Sequence, residues 1–260
     1  MTPQSDMQAV AELARTAGNH ALDFFSKELV VDAKPDGSPV TIADKSTEEL
    51  ARKWIESRFP DDGIIGEEFG TVRPTAARRW IIDPIDGTKS FVRGVQLWGT
   101  LVALVEGDTV IAGAAYYPAI GETIVAGKGE GCWWNDQRCS VSPVGHISAA
   151  TVLTTAVPTG GTDIRSRWDE LSRRSALSRT WGDCYGYLLV ATGRAEVMVD
   201  PVVSQWDIAA FVPIIAEARG VLTGWTSASP FDGSAIATNF NLAHEARDIL
   251  SAVNAMEYER

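Results

Sequence analysis

Trp80 to Thr88 reads WIIDPIDGT, and the order of its residue types predicts a strand that ends in a functional turn. Three large apolar residues in succession suit a strand buried on both faces. Asp83 then meets Pro84, which holds the residue before it extended and removes one backbone donor. The chain can turn so that Asp83 and Asp86 face one point. Gly87 and Thr88 follow, with free backbone amides where a helix begins at Lys89-Ser90-Phe91, an arrangement that accepts a phosphate oxygen.

Working outward, an earlier strand-like segment ends the same way: Ile64-Ile65-Gly66-Glu67-Glu68 closes on two acids. Further on, Trp206-Asp207 stands at another helix start. Single acids at caps and turns are ordinary. Several in one cleft repel and raise one another's pKa unless cations lie between them. Glu67, Asp83, Asp86 and Asp207 offer only oxygen, with no His or Cys among them. The cation expected is therefore hard: Mg²⁺, with Mn²⁺ as a substitute.

Around these segments, Val10, Leu13, Ala14, Ala17, Ala21, Leu22 and Phe25 recur at helical spacing and predict a long amphipathic helix over residues 6–29. KPDGSPV, Lys34 to Val40, predicts an exposed loop, and a second helix follows from about Asp44 to Arg58. Segments 97–105 and 110–117, joined at Gly107-Asp108, predict an antiparallel hairpin. Another is expected around Asn135-Asp136. The glycine-rich GKGEG at 127–131 lacks the Ser or Thr of a phosphate loop and reads as a turn. After Ser142-Pro143 the rhythm becomes α/β: strand 151–156, helix 165–175, strand 179–181, helix 184–192, strand 195–199 and helix 206–219. The chain thus divides into an α+β half, 1–143, carrying most of the ligands, and an α/β half, 144–260, carrying Asp207, in one compact unit.

Composition bounds the function. Of 260 residues, 45% are hydrophobic and 22% charged, as in folded soluble enzymes. Lys plus Arg is 23 against 34 for Asp plus Glu, a net charge of -11, which argues against nucleic acid or an anionic membrane as partner. Cys132, Cys139 and Cys184 form no CxxC pair and read as reduced, packed thiols. The N-terminus shows no secretory signal and no apolar run reaches the ~18 residues of a membrane helix, so a cytoplasmic protein is expected. His20, His146 and His244 stand apart from other reactive groups, which disfavours a His-based metal site or a Ser-His-Asp triad.

Gly66-Glu67-Glu68, the WIIDPIDGT run and Trp206-Asp207-Ile208-Ala209-Ala210, in this order, resemble the inositol monophosphatase-like phosphatases. The resemblance extends from the Asp44 helix to Ala237-Thr238-Asn239. It implies an α/β protein built as a layered α-β-α-β-α sandwich, forming a homodimer and acting on a small-molecule phosphate ester. It also implies metal binding by Glu67, Asp83, Asp86, Asp207 and the backbone oxygen of Ile85, and phosphate binding by Gly87 and Thr88. Asp44, Glu67 and Thr88 become the catalytic set, with Asp44 and Thr88 orienting the attacking water, and Lys34 belongs to a flap that closes over the metals. Ser90 and Arg219 depart from the family pattern and touch no metal position.

Trp181-Gly182-Asp183-Cys184-Tyr185-Gly186-Tyr187 with the following LLVATGRAEVMVDP resembles the histidinol-phosphatase branch of that family. An acid at Asp183 beside a metal cluster is electrostatically costly, and a cationic substrate such as histidinol phosphate gives it a purpose. Its alternative reading is an N-cap for the following helix. Asp200 stands where inositol phosphatases have a substrate-facing acid. The expected reaction is hydrolysis of L-histidinol phosphate to L-histidinol and phosphate, a step of histidine biosynthesis. The alternatives are an inositol-1-phosphatase or broad small-molecule phosphatase, and a catalytically silent binding subunit.

Overall fold

The computed structural model describes residues 5–158, 163–225 and 227–251. Helix α1 (Asp6–Leu22) opens the chain on a capping box made by Ser5 and Gln8. A two-residue hairpin, β1 (Asp32–Ala33) and β2 (Pro39–Val40), leads into α2 (Ile42–Arg58). Eight strands then form one sheet: β3 (Gly63–Gly66), β4 (Gly70–Val72), β5 (Arg78–Asp86), β6 (Gly99–Glu106), β7 (Thr109–Tyr117), β8 (Glu122–Gly127), β9 (Gly131–Trp134) and β10 (Gln137–Arg138). Their spatial order is β10-β9-β8-β7-β6-β5-β3-β4, with a short α3 (Thr88–Phe91) between β5 and β6. The second sheet has the order β12-β11-β13-β15-β14. It is built from β11 (Thr151–Thr154), β12 (Leu177–Arg179), β13 (Val197–Asp200), β14 (Gly220–Thr223) and β15 (Ala235–Asn239). Five helices accompany it: α4 (Asp163–Arg174), α5 (Asp183–Ala191), α6 (Gln205–Ile208), α7 (Phe211–Glu217) and α8 (Ala243–Ser251).

Strand alternation sorts the core into layers. Trp80 and Ile82 of β5 point to α1 and α2, packing with Val10, Leu13, Ala51, Trp54 and Ile55. Ile81, between them, points the other way, into a core shared with α5, α7 and the near face of the second sheet, where Leu153, Met198 and Ala237 lie. Their neighbours Val152, Val197, Val199 and Ile236 face outward onto Trp168 and Leu171 of α4 and Ile249 and Leu250 of α8. The result is an α-β-α-β-α sandwich, as expected. Each fully buried Ile, Leu or Val contributes about 1.5–3 kcal/mol, so the middle layer ties the two sheets together. Asn239, fully buried at the end of β15, adds a polar tie: its amide donates to the carbonyls of Ser142 and Val144 at 3.1 and 2.8 Å.

Several boundaries differ from the expected ones, for physical reasons. Helix α1 stops at Leu22 rather than 29 because the chain turns, with Ser26 at φ 60°. The turn lays Phe25 against Phe91 and Trp98, with ring centroids 5.6 and 5.5 Å apart. The expected single helix 206–219 is two, α6 and α7: Pro213 has no N–H to continue the α-helical ladder, and Ala209-Ala210 form a turn between them. Arg219, after α7, sits at φ 67°, a left-handed conformation that suits glycine better. Strand β12 lies at Leu177–Arg179 rather than 179–181. The hairpins at Gly107-Asp108 and Asn135-Asp136 are present; the second has both turn residues at positive φ, as its Asn-Asp pair allows. No helix among the described residues is long and apolar enough to cross a membrane.

Candidate active site

Strand β5 delivers the first acids. Its register against β6 slips between Asp83 and Asp86, the local disruption that Pro84 makes possible. Thr100 steadies the bulge by donating to the Pro84 carbonyl at 2.8 Å. Asp83 is buried and accepts the Ile85 N–H at 3.0 Å, turning the chain so that Asp86 lies beside it. Gly87 then takes φ 86° as the N-cap of α3, a conformation costly for any residue with a Cβ. Thr88, the first residue of α3, donates to the Ile85 carbonyl at 2.9 Å and stands 3.4 Å from the Asp44 carboxylate.

Helix termini supply two more acids, each the third residue of a capping box. In α2, Thr41 is the cap, and Asp44 accepts its N–H and hydroxyl, both at 2.7 Å. In α6, Ser204 is the cap and Asp207 accepts its N–H at 2.8 Å. One oxygen each of Asp83, Asp86 and Asp207 then lies within 4.8 Å of the others. Glu67 flanks this group closely enough for its charge to raise the pKa of Asp83. Glu67 also accepts Lys34 Nζ at 2.6 Å, and so does Glu68. Lys34 thus reaches in from the β1–β2 turn to supply positive charge; burial opposes its ionisation, but the two carboxylates outweigh burial and hold its pKa up.

The electrostatics follow from burial and crowding. Asp83 and Asp86 are pushed well above the ordinary carboxylate range, first by burial and then by neighbouring acids. Asp207 is pushed up to about 6 by burial, with Glu67, Asp200 and Asp183 adding repulsion against the Ser204 hydrogen bond. Burial also raises Asp44. Such a set, offering oxygen only and short of positive charge, fits hard divalent cations. Glu67, Asp83, Asp86, Asp207 and the Ile85 carbonyl are the groups that could hold them.

Asp183 and Asp200 border the same acids. A cleft of 80 Å³ is lined by both together with Asp86, Thr155, Tyr187 and Asp207. A second, of 110 Å³, is lined by Asp183, Glu67, Gly87, Thr88 and Lys89. Asp183 is not an N-cap: Gly182 holds that position, and the helix has no side-chain cap hydrogen bond. It has φ 49°, and its carboxyl is pushed up to about 6 by burial and the charge of Asp200, with Lys89 opposing. Asp200 is almost fully buried and accepts from Tyr187 Oη at 2.9 Å and Thr155 N–H at 3.2 Å. A larger cavity of 660 Å³ lies elsewhere, between α1 and β8–β9, and holds none of the clustered acids.

Two supports escaped sequence reasoning. The Cys184 backbone N–H donates to Asp86 Oδ2 at 2.5 Å, so the start of α5 holds an acid of the first sheet. Glu48, fully buried, accepts the N–H groups of Glu68 at 2.7 Å and Phe69 at 3.2 Å and pairs with Arg52 at 2.7 Å. It fixes the loop that presents Glu67, and a Cβ on Gly66 would collide with its carboxylate. Its signal was present: Glu48 lies four residues after Asp44, on the helix face that carries Ala51 and Ile55 inward.

Glu48→Gln should weaken Mn²⁺ binding about 10- to 100-fold, the usual effect of removing a partner behind metal ligands, as read by calorimetric titration, with far-UV circular dichroism unchanged. Unaltered affinity would mean that the loop presents Glu67 without Glu48. A second expectation concerns the protein in chelator. Because the folded pKa of Asp207 is raised from 3.8 to about 6, folding with it ionised is penalised; the penalty is absent below pH 3.8, grows as pH rises from 3.8 to about 6 and is level above that. Asp207→Asn keeps an acceptor for Ser204 and should raise the melting temperature at pH 8 by about 2–4 °C, with a smaller gain at pH 5. A gain that is equal at both values would rule out relief of charge as its cause.

Comparison with known proteins identifies the family and the fold. The chain matches the inositol monophosphatase family over residues 3–256. It is 41% identical to a histidinol-phosphatase of Chlorobaculum parvum, covering 100% of both chains. It is 37% identical to a histidinol-phosphatase of Mycobacterium tuberculosis, over 89% of this chain and 91% of that one. An inositol monophosphatase structure from Zymomonas mobilis superposes with a TM-score of 0.82 at 31% identity, covering 95% of this chain and 100% of the other. The chain belongs to the inositol monophosphatase family, a family of phosphoric monoester hydrolases.

Proposed function

We propose that the protein is a Mg²⁺-dependent phosphatase that hydrolyses L-histidinol phosphate to L-histidinol and phosphate. The observation that carries the substrate is Asp183. It is a half-buried acid with a left-handed backbone, lining both clefts beside acids already in excess. A neutral inositol or sugar offers such a group hydroxyl hydrogen bonds but no counter-charge, whereas histidinol phosphate brings an ammonium and an imidazole that can supply one. The names of the relatives at 37–41% identity support the same reading. In this reading the enzyme is a cytoplasmic homodimer serving histidine biosynthesis.

Glu67, Asp83, Asp86, Asp207 and the Ile85 carbonyl would hold the cations, Mg²⁺ or Mn²⁺. When bound, these supply Lewis acidity that makes water a nucleophile at neutral pH and neutralises phosphoryl charge. The remaining work falls to the chain. Asp44, held by Thr41, fixes the position of Thr88 Oγ1, and the two orient the attacking water. Gly87 and Thr88 open α3, and their N–H groups have no intrahelical acceptor, so they bind phosphate oxygen. Asp183 pairs with the cationic end of the alcohol. Asp200, braced by Tyr187 and Thr155, forms the floor of that pocket. Lys34 belongs to the flap, where it pairs with Glu67 and Glu68; bound cations would supply the counter-charge that it provides there.

The test compares two esters. EDTA should abolish hydrolysis of histidinol phosphate and Mg²⁺ should restore it. Asp183→Asn removes the charge while keeping a residue that tolerates φ 49°. A charge-assisted hydrogen bond contributes about 1.5–3 kcal/mol, so kcat/KM for histidinol phosphate should fall about 10- to 100-fold, with inositol 1-phosphate unaffected. Equal loss on both esters would make Asp183 structural. A wild-type enzyme that turns over inositol 1-phosphate in preference would overturn the substrate assignment.

A further inference from the structure

The hairpin β9–β10 places two of the three thiols face to face. Trp133 pairs with Arg138, so the next pair outward is Cys132 opposite Cys139, and the Cys139 N–H donates to the Cys132 carbonyl at 3.1 Å. The two sulfurs are 3.4 Å apart. A hydrogen-bonded antiparallel pair holds its Cα atoms about 5.5 Å apart, inside the ~4.4–6.8 Å that a disulfide spans. Bond formation therefore needs side-chain rotation and no rearrangement of the strands. CxxC spacing could not reveal this pair, because it is made by the turn at Asn135-Asp136.

The two thiols are unequal. Cys132 is 1% exposed, in the core between the sheets, whereas Cys139 is half-buried at the end of the hairpin. The hydrogen bond from Cys132 draws the Cys139 pKa down, burial opposes it, and the Arg194 guanidinium assists. The same bond, with burial, pushes Cys132 up. Arg194 is held near by Glu122 at 2.7 Å and by the Trp134 ring, 4.7 Å from its guanidinium carbon. A partly exposed thiol drawn towards ionisation, backed by a buried one 3.4 Å away, is the arrangement of an attacking and a resolving cysteine.

We propose that Cys132 and Cys139 form a reversible intramolecular disulfide when the protein meets hydrogen peroxide. The Cys139 thiolate attacks one peroxide oxygen and the O–O bond breaks. The departing hydroxide takes a proton from solvent, leaving Cys139 as a sulfenic acid. The Cys132 sulfur then attacks the Cys139 sulfur; the S–O bond breaks and the hydroxyl leaves as water with the Cys132 proton. Two thiols and one peroxide become one disulfide and two waters: the sulfurs lose two electrons and the peroxide gains them. A dithiol reductant restores both thiols by exchange. Cys184 lies instead against the Asp86 carbonyl, at 3.9 Å, and serves as the internal reference thiol.

The test uses the full chain, reduced, desalted and treated with a small excess of hydrogen peroxide. Thiols counted after denaturation should fall from three to one, and the intact mass should drop by two hydrogen atoms, both restored by dithiothreitol. Trypsin cuts after Lys128, Arg138 and Arg165, so the bond should appear as peptide 129–138 joined to 139–165. Cys132→Ser should leave a Cys139 sulfenic acid that dimedone traps, and Cys139→Ser should prevent the paired loss. Retention of three thiols, disulfides only between chains, or oxidation of Cys139 to sulfinic acid without the linked peptide would overturn the proposal.

Discussion

Repulsion among carboxylates is the constraint around which this protein is built. Asp83, Asp86 and Asp207 meet within 4.8 Å, Glu67 flanks them, and burial denies them the water that would screen their charge. Left to itself, such a cluster would spread apart. It is held by backbone-level restraints: the Pro84 bulge, the Asx turn at Asp83 and the capping boxes of α2 and α6. Both boxes use their third-residue acid twice, once to satisfy a helix N-terminus and once to face the site. The cost is tolerable because each acid has a local partner even before a cation arrives.

The cluster also explains why the two sheets must be held in register. Asp83 and Asp86 come from the first sheet, Asp207 from α6, which follows β13 of the second. The Cys184 amide bonded to Asp86 Oδ2 crosses between them, and Asp183 takes its left-handed turn just before that amide. Tyr187, one turn along α5, stacks on Phe211 at 4.9 Å and holds Asp200. One helix therefore steadies an acid of the cluster, presents Asp183 and braces Asp200. On the far side Glu48 does the same service for the Glu67 loop.

What could be read from residues alone followed the range of the interactions. The WIIDPIDGT strand, its turn and α3 were legible because apolar run, Pro, Gly and acids act within nine residues. The Asn135-Asp136 turn was legible for the same reason. The end of α1 was not, since Phe25 is drawn off the helical path by Phe91 and Trp98, far along the chain. The division of α6 from α7 was available in Pro213. Strands β14 and β15 are short and take their meaning from pairing with each other and with β13, which leaves little local pattern. Glu48 lay in plain sight on a buried helix face, but a charged residue there draws attention only once its partners, the amides of Glu68 and Phe69, are in place.

The central claim is that these acids are gathered in order to hold hard cations. Anomalous diffraction from crystals grown with Mn²⁺ tests it most directly. The account predicts anomalous peaks between the carboxylate oxygens of Asp83, Asp86 and Asp207, with Glu67 among the ligands and Lys34 displaced from it. Mn²⁺ bound only elsewhere, with the three aspartates contacting nothing but protein and water, would contradict it.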